Sequence, residues 1–156
     1  MSDVGRSGRQ CLAVIPAASK ALLMTRTDYH RRAKALAVKV IKLCDEMPRT
    51  VGAQTLARQL ARSGTSIVSN HRAAYRGRSK AEWLAKMGIV EEESDETILW
   101  LGLLVETGYC TEAQVGDLIK ETEELLAITV SMIKTGRQRM KMHAPHSEVP
   151  PQTSEN

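Results

Sequence analysis

The chain is poor in aromatic residues: its 156 positions include no phenylalanine, three tyrosines and two tryptophans. It also has only five prolines, whereas Ala, Leu, Ile, Val and Met supply most of its apolar content. This balance favours helices over sheet. The shortage of aromatic rings also disfavours a surface that binds nucleic acid by base stacking, because stacking needs exposed aromatic side chains.

Cysteines and long apolar runs are scarce as well. The three cysteines are an odd number, and they lack the spacing of a metal site: Cys11, Cys44 and Cys110. We therefore expect reduced thiols and a cytoplasmic protein. No stretch of sequence approaches the ~18 apolar residues that a membrane span needs. The sequence thus gives no reason to expect a membrane partner.

The first 25 residues have no helical period. Residues 11–18 are apolar enough to suggest a secretory signal, but Pro16 interrupts them and Lys20 follows closely. A signal peptide is therefore the less favoured interpretation. We predict a disordered or loosely docked leader over residues 1–25, a four-helix bundle over residues 26–136 and a disordered tail over residues 137–156.

Four segments of the bundle region have apolar residues at spacings of three and four. They cover residues 28–47, 52–76, 80–107 and a stretch from just after Gly108 to about residue 134. This spacing predicts four amphipathic helices. Because the connections between them are short, the predicted fold class is all-α, an antiparallel up-down-up-down four-helix bundle.

Local signals mark the ends of these helices. Pro48 ends the first helix, and Gly77 is suited to the left-handed conformation that closes the second. Two capping boxes then start the third and fourth helices, and they are formed by Ser79 with Glu82 and by Thr111 with Gln114. These signals are local, and tertiary packing rather than disulfides must hold the four helices together.

Charge is divided between the two halves of the bundle. Residues 26–80 carry a net charge of +10, and residues 81–124 carry −10. Arginines on one face of the second helix, with the cations that follow it, form a candidate nucleic-acid-binding surface: Arg58, Arg62, Arg72, Arg76, Arg78 and Lys80. Such a surface would contact phosphates of the RNA or DNA backbone. In the alternative interpretation these cations are structural, and Glu92 and Glu96 are their candidate ion-pairing partners.

The end of the third helix is apolar on every side. Residues 98–105 contain only apolar side chains and one glycine, whereas a helix of a monomeric bundle keeps one polar face for solvent. We therefore predict a homo-oligomer whose interface includes Leu99, Trp100 and Leu103. Docking of the leader onto these three residues is the less favoured alternative.

The sequence predicts no catalytic chemistry. A carboxylate-bridged metal site in a bundle needs Glu-x-x-His pairs, and the third helix has no histidine. His71 lies on the core side of the second helix, where we expect a buried, hydrogen-bonded histidine. No glycine-rich phosphate loop follows a strand, and no nucleophile stands beside a base. The expectation is a protein that is not an enzyme, with no cofactor and no metal.

Two stretches of sequence carry a family resemblance. Residues 63–70 read SGTSIVSN and residues 73–82 read AAYRGRSKAE, and Glu96 and residues 107–109 fit the same pattern. Over residues 28–134 the chain resembles the four-helix-bundle proteins encoded within intervening sequences of bacterial large-subunit (23S) ribosomal RNA genes. Residues 90–95 depart from that pattern, because acidic residues there replace small or apolar ones.

The resemblance implies partners that the residues alone do not. It implies a homo-oligomer, typically a pentamer. A related branch, the accessory proteins of diversity-generating retroelements, implies a nucleic acid and a reverse transcriptase as partners. The expected function is therefore a non-enzymatic, oligomeric bundle that binds nucleic-acid backbone, and the alternative is a protein-binding scaffold whose charged faces only join protomers.

Overall fold

The structure is a computed structural model that describes residues 25–142. Four helices make up most of these residues. They are α1 (Arg26–Asp45), α2 (Val51–Ala74), α3 (Lys80–Glu106) and α4 (Glu112–Met142). Each helix packs on the next, and α1 closes the bundle against α4. No strand occurs among the described residues. The prediction of an all-α four-helix bundle is confirmed.

Side-chain caps fix where the first three helices begin. The hydroxyl of Thr25 accepts a hydrogen bond from the Asp28 amide, and that of Thr50 accepts one from the Ala53 amide. The Ser79 hydroxyl accepts from the Glu82 amide at 3.1 Å, as the capping box predicts. Each bond satisfies an amide that has no partner within its own helix.

The core contains large apolar side chains from all four helices. The largest fully buried ones include Tyr29, Leu36, Leu60, Ile67, Met87, Leu101, Leu104, Leu125 and Ile128. The contact of α1 with α4 is the least extensive of the four, and polar bonds reinforce it. Tyr29 and Thr129 share a buried hydrogen bond of 2.7 Å between their hydroxyl oxygens. Arg32 donates to Glu121 and Glu124 on α4.

The fourth helix is longer than the sequence pattern predicted. We expected it to end near residue 134 and a disordered tail to start at residue 137, but α4 continues to Met142. Packing explains the extension, because a Cβ at Gly136 would lie only 2.8 Å from Cζ3 of Trp83. The glycine therefore lets α4 run directly over this ring. Residues 143–156 of the predicted tail, and residues 1–24 of the predicted leader, lie outside the described residues.

The turn between α2 and α3 uses Gly77 differently from our expectation. Among the described glycines only Gly108, after α3, has a positive φ, at 74°. A Cβ at Gly77 would lie 3.2 Å from the Ala74 carbonyl oxygen and 3.3 Å from Cδ of Glu82. A close approach of backbone and side chain, and not a left-handed conformation, therefore favours glycine here.

His71 is buried as predicted, but its contacts are aromatic. Its ring stacks on Tyr29 with centroids 4.2 Å apart, and Tyr75 lies tilted at 5.0 Å. Neither ring nitrogen has a hydrogen-bond partner among residues 25–142, so the expected hydrogen bond is absent there. Burial, and then the charges of His30 and Arg26, lower the pKa of His71 to about 4. The imidazole is therefore neutral at pH 7.

Candidate nucleic-acid interface

The six cations predicted to bind phosphate are all exposed, but they do not form one surface. Arg62 is engaged within the chain, since its guanidinium bonds to the carboxylates of Glu93 and Glu96 on α3. The Glu93 side chain is only 13% exposed, which makes this a firmly placed partner. Arg62 therefore joins α2 to α3 and contributes little free charge to the surface.

Of the two acids predicted to form ion pairs, one does so within the chain and the other does not. Glu96 contacts Arg62 of its own chain, whereas Glu92 is exposed and forms no ion pair within residues 25–142. The acid that completes the Arg62 contact is Glu93, which the sequence analysis did not single out. Consecutive residues of a helix point in different directions. Glu92 therefore lies on the outer face of α3, whereas Glu93 lies on the side that contacts α2.

A shallow groove between α1 and α2 collects the remaining cations of this region. It is lined by His30 and Lys34 from α1 and by Val68, Ser69, Arg72, Ala73 and Arg76 from α2, and we call it the α1–α2 groove. Three of its side chains are full cations, and no acidic side chain lines it. Arg72 and Arg76 belong to the predicted set, and Lys34 was missed as a site residue.

Close packing of the two helices brings Lys34 to this groove. A Cβ at Gly64 would lie 3.0 Å from Cγ1 of Val40, so this glycine permits α1 to approach α2. Lys34 is about two turns before Val40 on α1, and Arg72 is about two turns after Gly64 on α2. Lys34 lies on the polar side of α1, and this could be predicted from the sequence. Its place in the groove could be predicted only if α1 were known to pack on α2.

The other three predicted cations lie elsewhere. Arg58 is exposed near the opposite end of α2. Arg78 lies in the α2–α3 turn, where its amide donates to the Glu82 carboxylate at 2.8 Å. Lys80 borders a different, largely apolar groove between α3 and α4. The structure therefore brings only Arg72 and Arg76 of the six together, and adds Lys34, His30 and Ser69.

The predicted oligomer residues differ in exposure. Leu99 is 52% exposed on α3, whereas Trp100 and Leu103 are half-buried and Trp100 packs against the core. The Nε1 atom of Trp100 is buried and has no hydrogen-bond partner among residues 25–142. Leu99 shares the surface of α3 with the exposed carboxylates Glu92 and Asp95.

Neither a metal-binding cluster nor a reactive cysteine occurs within residues 25–142. No group of three or more His, Cys, Asp or Glu side chains within residues 25–142 is placed to hold a metal ion. Cys44 donates to the Ala57 carbonyl, and burial raises the pKa of its thiol to about 11. Burial also raises the pKa of the Cys110 thiol. Both thiols are therefore protonated at neutral pH and unsuited to nucleophilic attack.

The fold and the groove define a four-helix bundle with a cationic surface, and comparison with known proteins gives the family. A model of the 23S rRNA-intervening sequence protein family matches residues 26–131. The chain belongs to this family. None of its helices within residues 25–142 is long and apolar enough to cross a membrane.

A solved structure supports the assignment. A protein of unknown function from the S23 ribosomal protein family of Bacteroides thetaiotaomicron is similar, with a TM-score of 0.64 and 31% sequence identity. The similarity covers 71% of this chain and 99% of that one. No curated protein matches the chain.

Proposed function

We propose that this protein binds the phosphate backbone of nucleic acid in the α1–α2 groove. The observation that carries the proposal is the grouping of Lys34, Arg72 and Arg76 in one groove that no acidic side chain lines. Cations held together without a neutralising partner attract a polyanion and release its counterions when it binds. The hydroxyl of Ser69 adds a donor of the kind that contacts phosphate oxygens.

The composition of the groove restricts how it would bind. Its lining contains no tyrosine and no tryptophan, and its one ring is the small imidazole of His30, so the groove offers little surface on which bases could stack. Contacts to phosphates alone carry no sequence information. The proposed binding is therefore directed at the backbone and tolerant of sequence.

A pair of double variants tests the proposal. Arg72→Ala/Arg76→Ala removes two cations of the groove, and Lys42→Ala/Arg49→Ala removes two exposed cations outside it. Fluorescence anisotropy with short RNA and DNA duplexes at low salt should show a loss of roughly tenfold or more for the first variant. The second variant should change the affinity much less. Equal losses would mean that only net charge matters, and an unchanged affinity of the first variant would reject the groove.

We also propose that the protein forms a homo-oligomer, a pentamer if it follows the family resemblance, through the outer face of α3. Support comes from the exposure of Leu99 within residues 98–105 of α3, where every side chain apart from one glycine is apolar. Burying such a side chain between protomers contributes about 25 cal/mol per Å² of apolar area. Leu99→Asp should reduce the mass measured by light scattering, whereas Val51→Asp, at a residue that is 87% exposed, should not.

The alternative function is a protein-binding scaffold, and the family resemblance suggests a reverse transcriptase as its partner. In that case the cations of the α1–α2 groove join protomers. Arg72→Ala/Arg76→Ala would then lower the assembly mass and leave any nucleic-acid affinity unchanged. If the groove binds the phosphate backbone, the same variant should keep its assembly mass and lose nucleic-acid affinity.

A further inference from the structure

A second groove lies between the start of α3 and the end of α4. Its lining is largely apolar and includes Tyr75, Trp83, Leu84, Met132, Gly136 and Met140, and we call it the α3–α4 groove. The rings of Tyr75 and Trp83 meet edge to face with centroids 6.2 Å apart. Trp83, Leu84, Met132 and Met140 are each only half-buried. The groove is thus an apolar surface that a further apolar segment would cover favourably.

The beginning of α1 lies at the edge of this groove. The guanidinium of Arg26 sits 4.6 Å from the centroid of the Tyr75 ring, and Tyr75 itself lines the groove. The first residue of α1 therefore has its side chain at the edge of this groove, and the leader joins the bundle through Thr25, the residue before it. An extended chain spans about 3.3–3.6 Å per residue, so the four residues before Thr25 have a reach of roughly 13–14 Å.

The sequence of those four residues suits the groove. Residues 21–24 read Ala-Leu-Leu-Met, a fully apolar stretch that follows Lys20. The chain beyond α4 suits it less, because residues 143–156 are mostly polar or proline and contain Val149 as their one large aliphatic side chain. Residues 21–24 of the leader are therefore a better candidate than residues 143–156 to fill the α3–α4 groove, both by composition and because they precede the start of α1.

We propose that residues 21–24 pack into the α3–α4 groove of their own chain. Leu22, Leu23 and Met24 would then contact Trp83 and Leu84, and the segment would fix the start of α1 over the end of α4. This docking surface is separate from the α1–α2 groove and does not rest on the proposed nucleic-acid binding. It also differs from the predicted interface on α3, because it involves the first turns of that helix.

Tryptophan fluorescence can report on this contact. The chain has two tryptophans, so a Trp100→Phe background leaves Trp83 as the sole reporter in the full-length protein. In that background we compare Leu22→Asp/Leu23→Asp with Leu12→Asp/Val14→Asp, which places the same charges elsewhere in the leader. Both pairs of substitutions lie outside the described bundle, and circular dichroism checks that the helical content is unchanged.

The proposal predicts different results for the two variants. Leu22→Asp/Leu23→Asp should shift the Trp83 emission to longer wavelength and increase its quenching by acrylamide, because the ring loses its cover. Leu12→Asp/Val14→Asp should leave both measurements unchanged. Identical spectra for all three proteins would overturn the proposal. A quenching that changes with protein concentration would also overturn it, because the groove would then hold the leader of a second copy.

Discussion

At the residue scale, the buried side chain of His71 makes the stability of the fold depend on pH. His71 is neutral in the fold, since burial and nearby positive charges lower its pKa from 6.5 to about 4. Its folded pKa thus lies below its ordinary one. As the pH falls below 6.5, the unfolded chain takes up a proton that the folded chain does not, and stability declines until the pH reaches about 4.

Replacing His71 with phenylalanine should remove this part of the pH dependence. The substitution keeps an aromatic ring against Tyr29 and abolishes the titration. A pKa shift of this size corresponds to roughly 3 kcal/mol of unfolding free energy. Urea unfolding between pH 7 and pH 4 measures it, and the parent should lose more stability over this range than His71→Phe. Parallel pH profiles for the two proteins would contradict the account.

Two neighbouring arginines give a matched comparison of ion pairs. Arg32 is 18% exposed and bonds to Glu121 at 2.7 Å and to Glu124 at 2.8 Å, whereas Arg31 is 73% exposed and lies 3.7 Å from Asp28. Arg32→Ala would remove the cation that both carboxylates contact between α1 and α4. We expect it to cost about 2 kcal/mol, against less than about 0.5 kcal/mol for Arg31→Ala. Chemical denaturation of the two variants measures both values, and equal losses would show that the bridge is unimportant.

At the scale of the helices, the sequence predicted which segments are helical better than it predicted how they meet. Apolar spacing and the Ser79 cap are local signals, and they predicted both ends of α3 to within one residue. The end of α4 depends on Trp83, which is distant in sequence, so the local pattern around Gly136 suggested a tail. The same limit applies to Gly77, where the neighbouring Glu82 side chain matters more than backbone conformation.

Two glycines of α4 test whether the extension is packed. Gly116 has no atom within 4 Å of an added Cβ, whereas Gly136 has the Trp83 ring at 2.8 Å. Gly116→Ala should stabilise the protein by about 0.5–1 kcal/mol through helix propensity alone. Gly136→Ala should instead destabilise it by about 1 kcal/mol or more, because the ring must move. Thermal unfolding gives both signs, and stabilisation by both substitutions would mean that the end of α4 does not pack on α3.

At the scale of the whole molecule, the opposite charges of the two halves are only partly paired within the chain. Arg32 joins α1 to the acids of α4, and Arg62 joins α2 to those of α3. Lys34, Arg72 and Arg76 remain together in the α1–α2 groove. The sign of each charge, and the helix that carries it, could be predicted from the sequence. The pairing could not, because that depends on the rotation of each helix and on which neighbour it meets.

The most direct test of the proposed function is the salt dependence of nucleic-acid binding. Each phosphate that the protein neutralises on duplex DNA contributes about −0.9 to the slope of log affinity against log salt concentration. The parent protein should therefore bind more weakly as salt rises, and Arg72→Ala/Arg76→Ala should have a slope shallower by about 1–2. A parent whose binding is insensitive to salt, or a double variant with the slope of the parent, would contradict the claim that the α1–α2 groove binds phosphates.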